Sequence, residues 1–307
     1  MILGRILVPQ PLPVGGGTVT ACAPAHARTN QDELRTRDPD TGRWVLTRDR
    51  WHTGVVDSAG TGGLLAQVAG RSASVVSTWL LAQPAPWRDA ITHVTIDLSA
   101  SFAKGARDGL PNAIQVADRY HLVQLANDTT TVVRQRTVRE HEGRRCCKVD
   151  PAWRVRRRFL TAHERLRPET FTKVWNALID TGEAGIDILG AYVVKEDLRS
   201  LLALAGTHPD RTQICRRLTT FYDHAAVSSA PEVHRLAATV DRWWLAVLAG
   251  LETGYSNSRS EGYNRLAKHE GRNAFGFRNP VNQSRRIRWA CTRQHRREAA
   301  RNTALPG

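Results

Sequence analysis

The spacing of apolar residues divides the chain into a strand-rich first part and a helical second part. Between Gly42 and Gly70 the short apolar runs RWVLT, WHTGVVD and GLLAQVAG alternate with turn residues, which predicts an antiparallel meander. Residues 1–40 are rich in Pro, Gly and small side chains without a clear period, so we expect little regular structure there. Ser72 can cap a short helix that ends before Pro84.

A strand, a helix and a second strand are predicted over the next segment. The apolar runs ITHVTIDLS and NAIQVADRYH flank the helical stretch SFAKGARDGL, and this order is typical of parallel strand pairing. From residue 119 to about residue 250 apolar residues recur at three- and four-residue spacing, as in YVVKEDLRSLLALAG and VHRLAATVDRWWLAVLAG, which predicts amphipathic helices. The chain is therefore predicted to contain an irregular N-terminal segment (1–41), the first part of an α/β core (42–130), a helical insertion (131–250) and a C-terminal region with a Glu-bearing helix and a basic tail (251–307).

The net charge is strongly positive and is concentrated in two segments. The 307 residues include 44 Lys plus Arg against 29 Asp plus Glu, which gives a formal charge of +15. Residues 134–158 carry a net charge of +7 and residues 265–301 carry +9, so the rest of the chain is nearly neutral. Such runs are often solvated helix faces, but about one residue in three is basic here, and this density favours binding to a nucleic-acid backbone.

Composition excludes several classes of protein. The chain has no run of eighteen apolar residues, and Arg5 and three prolines interrupt the apolar N-terminal stretch, so neither a membrane span nor a signal peptide is predicted. The five cysteines form no CxxC pair, which argues against a disulfide framework and a structural zinc site. We expect a cytoplasmic, nucleoid-associated protein.

Two carboxylates follow the two predicted parallel strands. Asp97 comes directly after HVTI and Asp118 directly after IQVA. The carboxyl ends of parallel strands gather functional sites, and carboxylates there can bind Mg²⁺. Either residue could instead cap the helix that follows it. Asp118 and His121 are three residues apart and can lie on one side of a helical turn, although an isolated His near an apolar helix is usually a packing residue.

A third carboxylate lies in the polar segment YSNSRSEGYNR. Glu261 falls near the start of a predicted helix, where the helix dipole alone often explains an acidic residue. Its surroundings of Ser, Asn and Arg, just before the basic tail, also fit a metal ligand that faces a phosphodiester.

These segments carry a resemblance to a known family. The blocks VTIDLSASFAKGARDGLPNAIQVADRYHLVQLAN and YSNSRSEGYNRLAKHEGRNAFGFRNPVNQSRRIR look like the two hallmark blocks of the ISL3 family of bacterial insertion-sequence transposases. The resemblance extends from about Gly42 to Arg297. It implies a ribonuclease-H-like mixed sheet core with a DDE triad, interrupted by a large all-helical insertion before the Glu.

The resemblance allows two assignments of the triad. The three acidic residues are either Asp97, Asp118 and Glu261, or Asp97 and Glu261 are the second and third members. In the second assignment, which we favour, the first Asp lies on the first strand of the core, and Asp118 with His121 forms an accessory pair after the next strand. Asp97 and Glu261 are catalytic in both, with Asp118 as a further metal ligand.

One feature of the family is missing at the expected place. Relatives have an apolar strand ending in Asp-Glu upstream of the position of Trp44, preceded by a Cys-rich zinc segment and a helix-turn-helix. Asp32 and Glu33 stand at about that distance, but the preceding PAHARTNQ is no core strand. The N-terminus is therefore expected to be truncated or frameshifted, and the alternative to an active transposase is a DNA-binding remnant without catalysis.

The implied activity is cleavage and transfer of DNA strands with two Mg²⁺ ions. The implied partners are the double-stranded DNA of element ends and target and further copies of the chain, with no membrane. The basic residues predicted to contact DNA are Arg265, Lys268, Arg272, Arg278, Arg285, Arg286 and Arg288.

Overall fold

A computed structural model describes residues 17–22, 34–48, 52–58, 63–275, 277 and 279–303. The chain divides into two compact units. The sheet unit comprises Met1–Ala117 and Ser256–Gly307, and the helical unit comprises Asp118–Tyr255. The fold is mixed α/β, as the sequence predicts. One continuous helix begins at Arg119, directly after the last strand, at the residue from which the sequence predicts helices.

The sheet unit is built on five strands, β1 (Gly17–Cys22), β4 (His52–Asp57), β5 (Leu64–Ala69), β6 (Ile91–Ile96) and β7 (Ile114–Ala117). Their order across the sheet is β5-β4-β1-β6-β7. The pairs β5/β4 and β4/β1 are antiparallel, and the pairs β1/β6 and β6/β7 are parallel. The predicted strand, helix and strand with parallel pairing are thus confirmed.

Residues 1–41 contain more regular structure than the sequence suggested. The strand β1, with sequence GTVTAC, lies in the middle of the five-stranded sheet. Its Thr18, Val19 and Thr20 are β-branched and suit an extended backbone, but the run is too short to stand out among Pro and Gly.

The predicted three-stranded meander is wrong in one pairing. The strand β3 (Trp44–Arg48) pairs with β2 (Leu34–Arg37) in a separate two-stranded sheet, and only β4 and β5 pair with each other. The turn DPDTG explains the difference: the Asp38 carboxylate accepts hydrogen bonds from the backbone N–H groups of Asp40 and Thr41, and Gly42 has a φ of 65°. This turn chemistry joins β3 to the strand before it.

Three helices follow β5 within the sheet unit: α1 (Ala73–Leu81), α2 (Ala85–Asp89) and α3 (Ala100–Gly109). Ser72 caps α1 as predicted, since its hydroxyl accepts from the N–H of Val75. The helices α1 and α3 pack closely because α3 carries glycines at the contact: a Cβ on Gly105 would lie 2.6 Å from the carbonyl oxygen of Ala73. The helix α3 also packs against β6, whose Val94 and Ile96 are buried.

The C-terminal part of the sheet unit consists of α11 (Ser258–Asn273) and α12 (Pro280–Thr303). Tyr263 and Ala267 of α11 and Ile287 and Cys291 of α12 form a buried cluster with Val56 of β4. The Gln67 side chain of β5 also donates to the backbone oxygen of Ser284 at 3.0 Å. These contacts fix α11 against the sheet.

The helical unit contains seven α-helices among its described residues, together with two short 3₁₀ turns. The helices are α4 (Arg119–Glu142), α5 (Pro151–Val155), α6 (Pro168–Ile179), α7 (Glu183–Leu202), α8 (Arg211–Val227), α9 (Pro231–Arg242) and α10 (Trp244–Thr253). The helix α7 packs against α4, α6 and α8. Lys195 of α7 is fully buried, and its ammonium donates to the carbonyl oxygen of Phe159 at 2.7 Å. A search of the described helices found none with the length and apolar content that crossing a membrane requires.

Candidate active site

Asp97 lies at the end of β6, where the chain leaves the sheet. The strand positions before it are buried, with Val94 2% and Ile96 0% exposed, and Asp97 itself is 8% exposed. The chain then turns sharply into α3, because the N–H of Ser99 donates to the Asp97 carbonyl oxygen and the Ser99 hydroxyl caps the helix. The carboxylate of Asp97 therefore projects from a rigid strand end.

Asn257 connects Asp97 to the start of α11. Its side-chain Nδ2 donates to Oδ1 of Asp97 at 2.7 Å, and Asn257 is fully buried. Asn257 occupies the N-cap position of α11, but its side chain does not cap the helix. The N-cap carbonyl oxygen accepts from the N–H of Glu261 at 3.1 Å. One residue thus contacts both candidate catalytic residues, through its side chain and through its backbone.

Glu261 lies in the first turn of α11, as the sequence predicts. Its carboxylate and that of Asp97 each offer an oxygen within 4.8 Å of the other. The two residues are brought together from distant parts of the sequence by the packing of α11 on the sheet. Arg259 adds to that packing, because its guanidinium donates to the backbone oxygen of Asp57 at 3.1 Å.

Asp118 and His121 form the predicted pair within the helical unit. Asp118 is at the N-cap position of α4, but its carboxylate does not cap the helix. Instead Oδ2 of Asp118 accepts from Nδ1 of His121 at 2.8 Å. Asp118 is buried, with 2% of its surface exposed, so this bond satisfies a carboxylate that is shielded from water. The helix-capping interpretation of Asp118 is therefore wrong.

The basic residues of α11 and α12 predicted to contact DNA remain available at the surface. Arg265, Arg272, Arg285, Arg286 and Arg288 are exposed, and Lys268 is half-buried. Within the described part of the chain none of them forms a salt bridge. Arg278 lies outside the described residues.

The other basic segment, residues 134–158, uses several of its arginines within the protein. Arg134 is buried, and Arg136 forms salt bridges with Glu140 and Glu232. Two guanidinium nitrogens of Arg144 contact the Asp150 carboxylate, which holds the pKa of Asp150 well below its usual range. Fewer basic side chains of this segment are therefore available to a ligand than its net charge indicates.

Asn257 is the site residue that sequence reasoning missed. An Asn before a predicted helix is usually explained as an N-cap, and nothing local to SNSRSE indicates a partner 160 residues earlier. This contact becomes apparent only once the start of α11 is known to lie beside the end of β6.

Comparison with known proteins identifies the family. The family model of ISL3-type DDE transposases, described as "Transposase", matches residues 45–287. Two Mycobacterium tuberculosis proteins, from the strains CDC 1551 / Oshkosh and ATCC 25618 / H37Rv, are each described as the transposase for insertion sequence element IS1557 and are each 28% identical over 249 residues. The alignment covers 75% of this chain and 54% of each relative, so the chain spans about half the length of the curated relatives it matches. No solved structure matches it. Because the family model covers most of the sequence, the chain belongs to the ISL3 family of transposases.

Proposed function

We propose that this chain carries the catalytic core of a divalent-metal-dependent transposase that cleaves and transfers DNA strands. The observation that carries the proposal is the approach of Asp97 and Glu261 to within 4.8 Å from separate elements of the sheet unit. Two carboxylates so close, one of them 8% exposed, repel each other unless a cation or proton offsets their charge. Such pairs are typical of metal-dependent phosphoryl-transfer sites.

The strand order supports a ribonuclease-H-like core. Within the five-stranded sheet, β1, β4, β5, β6 and β7 are the first to fifth strands in chain order. Asp97 then follows the fourth strand, the position that the family resemblance implies for the second acidic residue. Asp118 follows the fifth strand, with His121 three residues later. This favours the assignment in which Asp97 and Glu261 are the second and third members of the triad and Asp118 with His121 is the accessory pair.

The donor set fits a hard divalent cation. Mg²⁺ prefers carboxylate oxygens and water at about 2.0 to 2.1 Å, so two ligands of one ion lie at most about 4.2 Å apart. The Asp97 and Glu261 oxygens need only a small closure to meet this limit. The hydrogen bond from Asn257 holds one oxygen of Asp97 and limits its rotation. We expect Mg²⁺, with two ions as the family resemblance implies.

Each residue of the site has a separate role in the proposed reaction. A bound Mg²⁺ supplies Lewis-acid activation of the attacking hydroxyl or water and of the phosphodiester. Asp97 and Glu261 hold it, and Asn257 orients Asp97. The exposed arginines of α11 and α12 neutralise the phosphates of element-end or target DNA, which gives affinity that falls with salt and carries little sequence information. Joining two element ends further implies more than one copy of the chain on DNA.

The test is nicking of supercoiled plasmid DNA by the full chain in Mg²⁺ or Mn²⁺. We expect nicking that disappears in EDTA and falls roughly 10²-fold or more with Glu261→Gln. Glu270→Gln is the matched control, since it makes the same charge change farther along α11. Equal activity of the wild type and Glu261→Gln would refute the assignment of Glu261.

A second candidate function is DNA binding without catalysis. The strand β1 carries no carboxylate, because its sequence is GTVTAC. Ala21 of β1 is the register partner of Ile96, so Cys22 is level with Asp97 on the neighbouring parallel strand. If the first acidic residue of the triad belongs on this strand, Cys22 stands at its place.

The substitution Cys22→Asp separates the two candidates. A wild type that binds DNA without nicking it, together with a Cys22→Asp variant that gains Mg²⁺-dependent nicking, would support the DNA-binding remnant and identify the missing ligand. Nicking by the wild type that Cys22→Asp does not increase would support the active enzyme.

A further inference from the structure

A groove runs along the exposed side of α11, and of its lining residues the sequence analysis assigned only Arg265 to DNA contact. It has a volume of about 600 Å³, and its lining includes Ser258, Arg259, Gly262, Arg265, Leu266 and His269. We propose that this α11 groove binds the sugar–phosphate backbone of a DNA strand, and that Gly262 is required because it lets the strand approach the helix closely. The proposal rests on the proposed function, since it takes DNA as the substrate, and adds a specific subsite to it.

The chemistry of the lining is complementary to phosphate. Arg259 and Arg265 offer guanidinium groups and Ser258 offers a hydroxyl, while no carboxylate is among the described residues of the lining. The backbone oxygen of Asp57 accepts from one Nη of Arg259, so this side chain is held in place rather than free to swing. A guanidinium that is already positioned loses less entropy when it binds a phosphate.

The groove has the length of a short DNA segment. Ser258, Gly262, Arg265 and His269 follow one another at spacings of four, three and four residues, which places them along one side of the helix. The eleven residue steps from Ser258 to His269 rise about 16 Å along the helix, and one strand of B-DNA rises about 3.4 Å per nucleotide. The lining therefore spans about five nucleotides. Glu261 is three residues after Ser258 and four before Arg265, so a strand in the groove passes next to the candidate metal ligand.

Gly262 is the feature that folding alone does not explain. Glycine is unfavourable inside a helix, and Gly262 is an interior residue of α11. A Cβ added at Gly262 would meet no atom within 4 Å, so packing in the described structure does not require glycine there. A methyl group would instead project into open space on the side of the helix that lines the groove. A ligand that contacts the helix backbone at Gly262 would account for the absence of a side chain there.

The experiment compares Gly262→Ala with a matched control, Gly190→Ala, in the full chain. Gly190 is also inside a long helix, α7, and its added Cβ also meets nothing within 4 Å. Both substitutions should raise the Tm by roughly 2 to 4 °C, because alanine is the better helix former. We measure the Tm of each variant and the affinity for a fluorescein-labelled DNA duplex in EDTA between 50 and 200 mM NaCl.

The two variants should differ in DNA binding. We expect Gly262→Ala to weaken binding by about tenfold, as overpacking a close contact does, and Gly190→Ala to bind as the wild type does. Gly262→Gln, which keeps good helix propensity and fills more of the groove, should weaken binding further. A Gly262→Ala variant that is more stable and binds DNA with unchanged affinity would overturn the groove proposal while leaving the proposed function intact. A wild type without salt-dependent DNA binding would instead overturn the proposed function, and the groove proposal with it.

Discussion

The hydrogen bond between Asn257 and Asp97 gives the sharpest test of how the candidate site is built. The substitution Asn257→Ala removes the donor to a carboxylate that is 8% exposed and leaves a space where a fully buried amide was. Hydrogen bonds to charged groups contribute about 1.5 to 3 kcal/mol, and the substitution removes this contribution. We therefore expect the free energy of unfolding to fall by about 2 to 3 kcal/mol, or roughly 4 to 12 °C in Tm.

The substitution Asn257→Asp keeps the volume but replaces the donor by a third carboxylate. Two unit charges about 4 Å apart repel by about 4 kcal/mol at an effective dielectric constant of 20. In EDTA this variant should therefore be at least as unstable as Asn257→Ala. A divalent cation should offset part of this loss, because a third carboxylate is an additional ligand: tenfold tighter binding at saturating metal stabilises the folded state by about 1.4 kcal/mol more than in the wild type.

The assay is thermal unfolding of the wild type and both variants, in EDTA and in 10 mM MgCl₂ or MnCl₂. Asn127→Ala serves as control, because Asn127 is a half-buried Asn of α4 whose Oδ1 has no hydrogen-bond partner within the described residues. The Tm of Asn127→Ala should therefore differ little from that of the wild type. Unfolding of Asn257→Ala at the wild-type temperature would show that this hydrogen bond does not stabilise the fold. A metal-induced rise in the Tm of Asn257→Asp no larger than that of the wild type would show that residue 257 does not lie beside a metal site.

Three further predictions concern other parts of the chain. Arg285→Gln and Arg286→Gln should each lower the slope of log affinity for DNA against log salt by about 1, measured by fluorescence anisotropy; unchanged slopes would exclude phosphate contacts. Burial raises the pKa of the Cys291 thiol to about 12, so the folded state keeps a proton that the unfolded state loses above about pH 9. Stability should therefore fall by about 1.4 kcal/mol between pH 8 and 10 in urea titrations of the wild type, and this component should be missing in Cys291→Ala. Gly105→Ala should destabilise by roughly 1 to 3 kcal/mol, because its Cβ would lie 2.6 Å from a backbone oxygen, whereas Gly190→Ala should not.

The sequence correctly predicted the helices and strands that are specified by their own residues and immediate neighbours. The helix after Ser72 and the strand, helix and strand around Asp97 follow from capping, periodicity and turn residues, and they are present. The placement of Glu261 in the first turn of a helix also follows from its neighbours. The family resemblance identified Asp97 and Glu261 as a pair, which no local pattern could do, because a long helical segment separates them.

The misassignments have a common physical cause, which is that the pattern of a single segment does not specify the partner it pairs with or contacts. β1 is short and lies among Pro and Gly, and it is a strand because β4 and β6 supply hydrogen bonds on both sides. β3 has the alternation of a meander strand but pairs with β2, because the turn at Asp38 joins these two strands in a hairpin. Asn257 has the local signature of a cap, and its actual partner becomes apparent only in three dimensions.

Under the proposed function, catalysis depends more on the residue that β1 supplies than on α11. The position of Glu261 is determined by packing, since Tyr263 and Ala267 join the cluster that binds α11 to β4, and Asn257 fixes the start of the helix to Asp97. This half of the site is assembled by the fold whether or not catalysis follows. The position on β1 that is level with Asp97 has no such support, because a strand can keep its backbone hydrogen bonds with Cys22 in place of an acidic residue. Under the proposed function, the absence of an acidic residue at this position leaves the fold and the basic surface of α11 and α12 unchanged, so we expect a chain without catalysis to retain the proposed DNA binding.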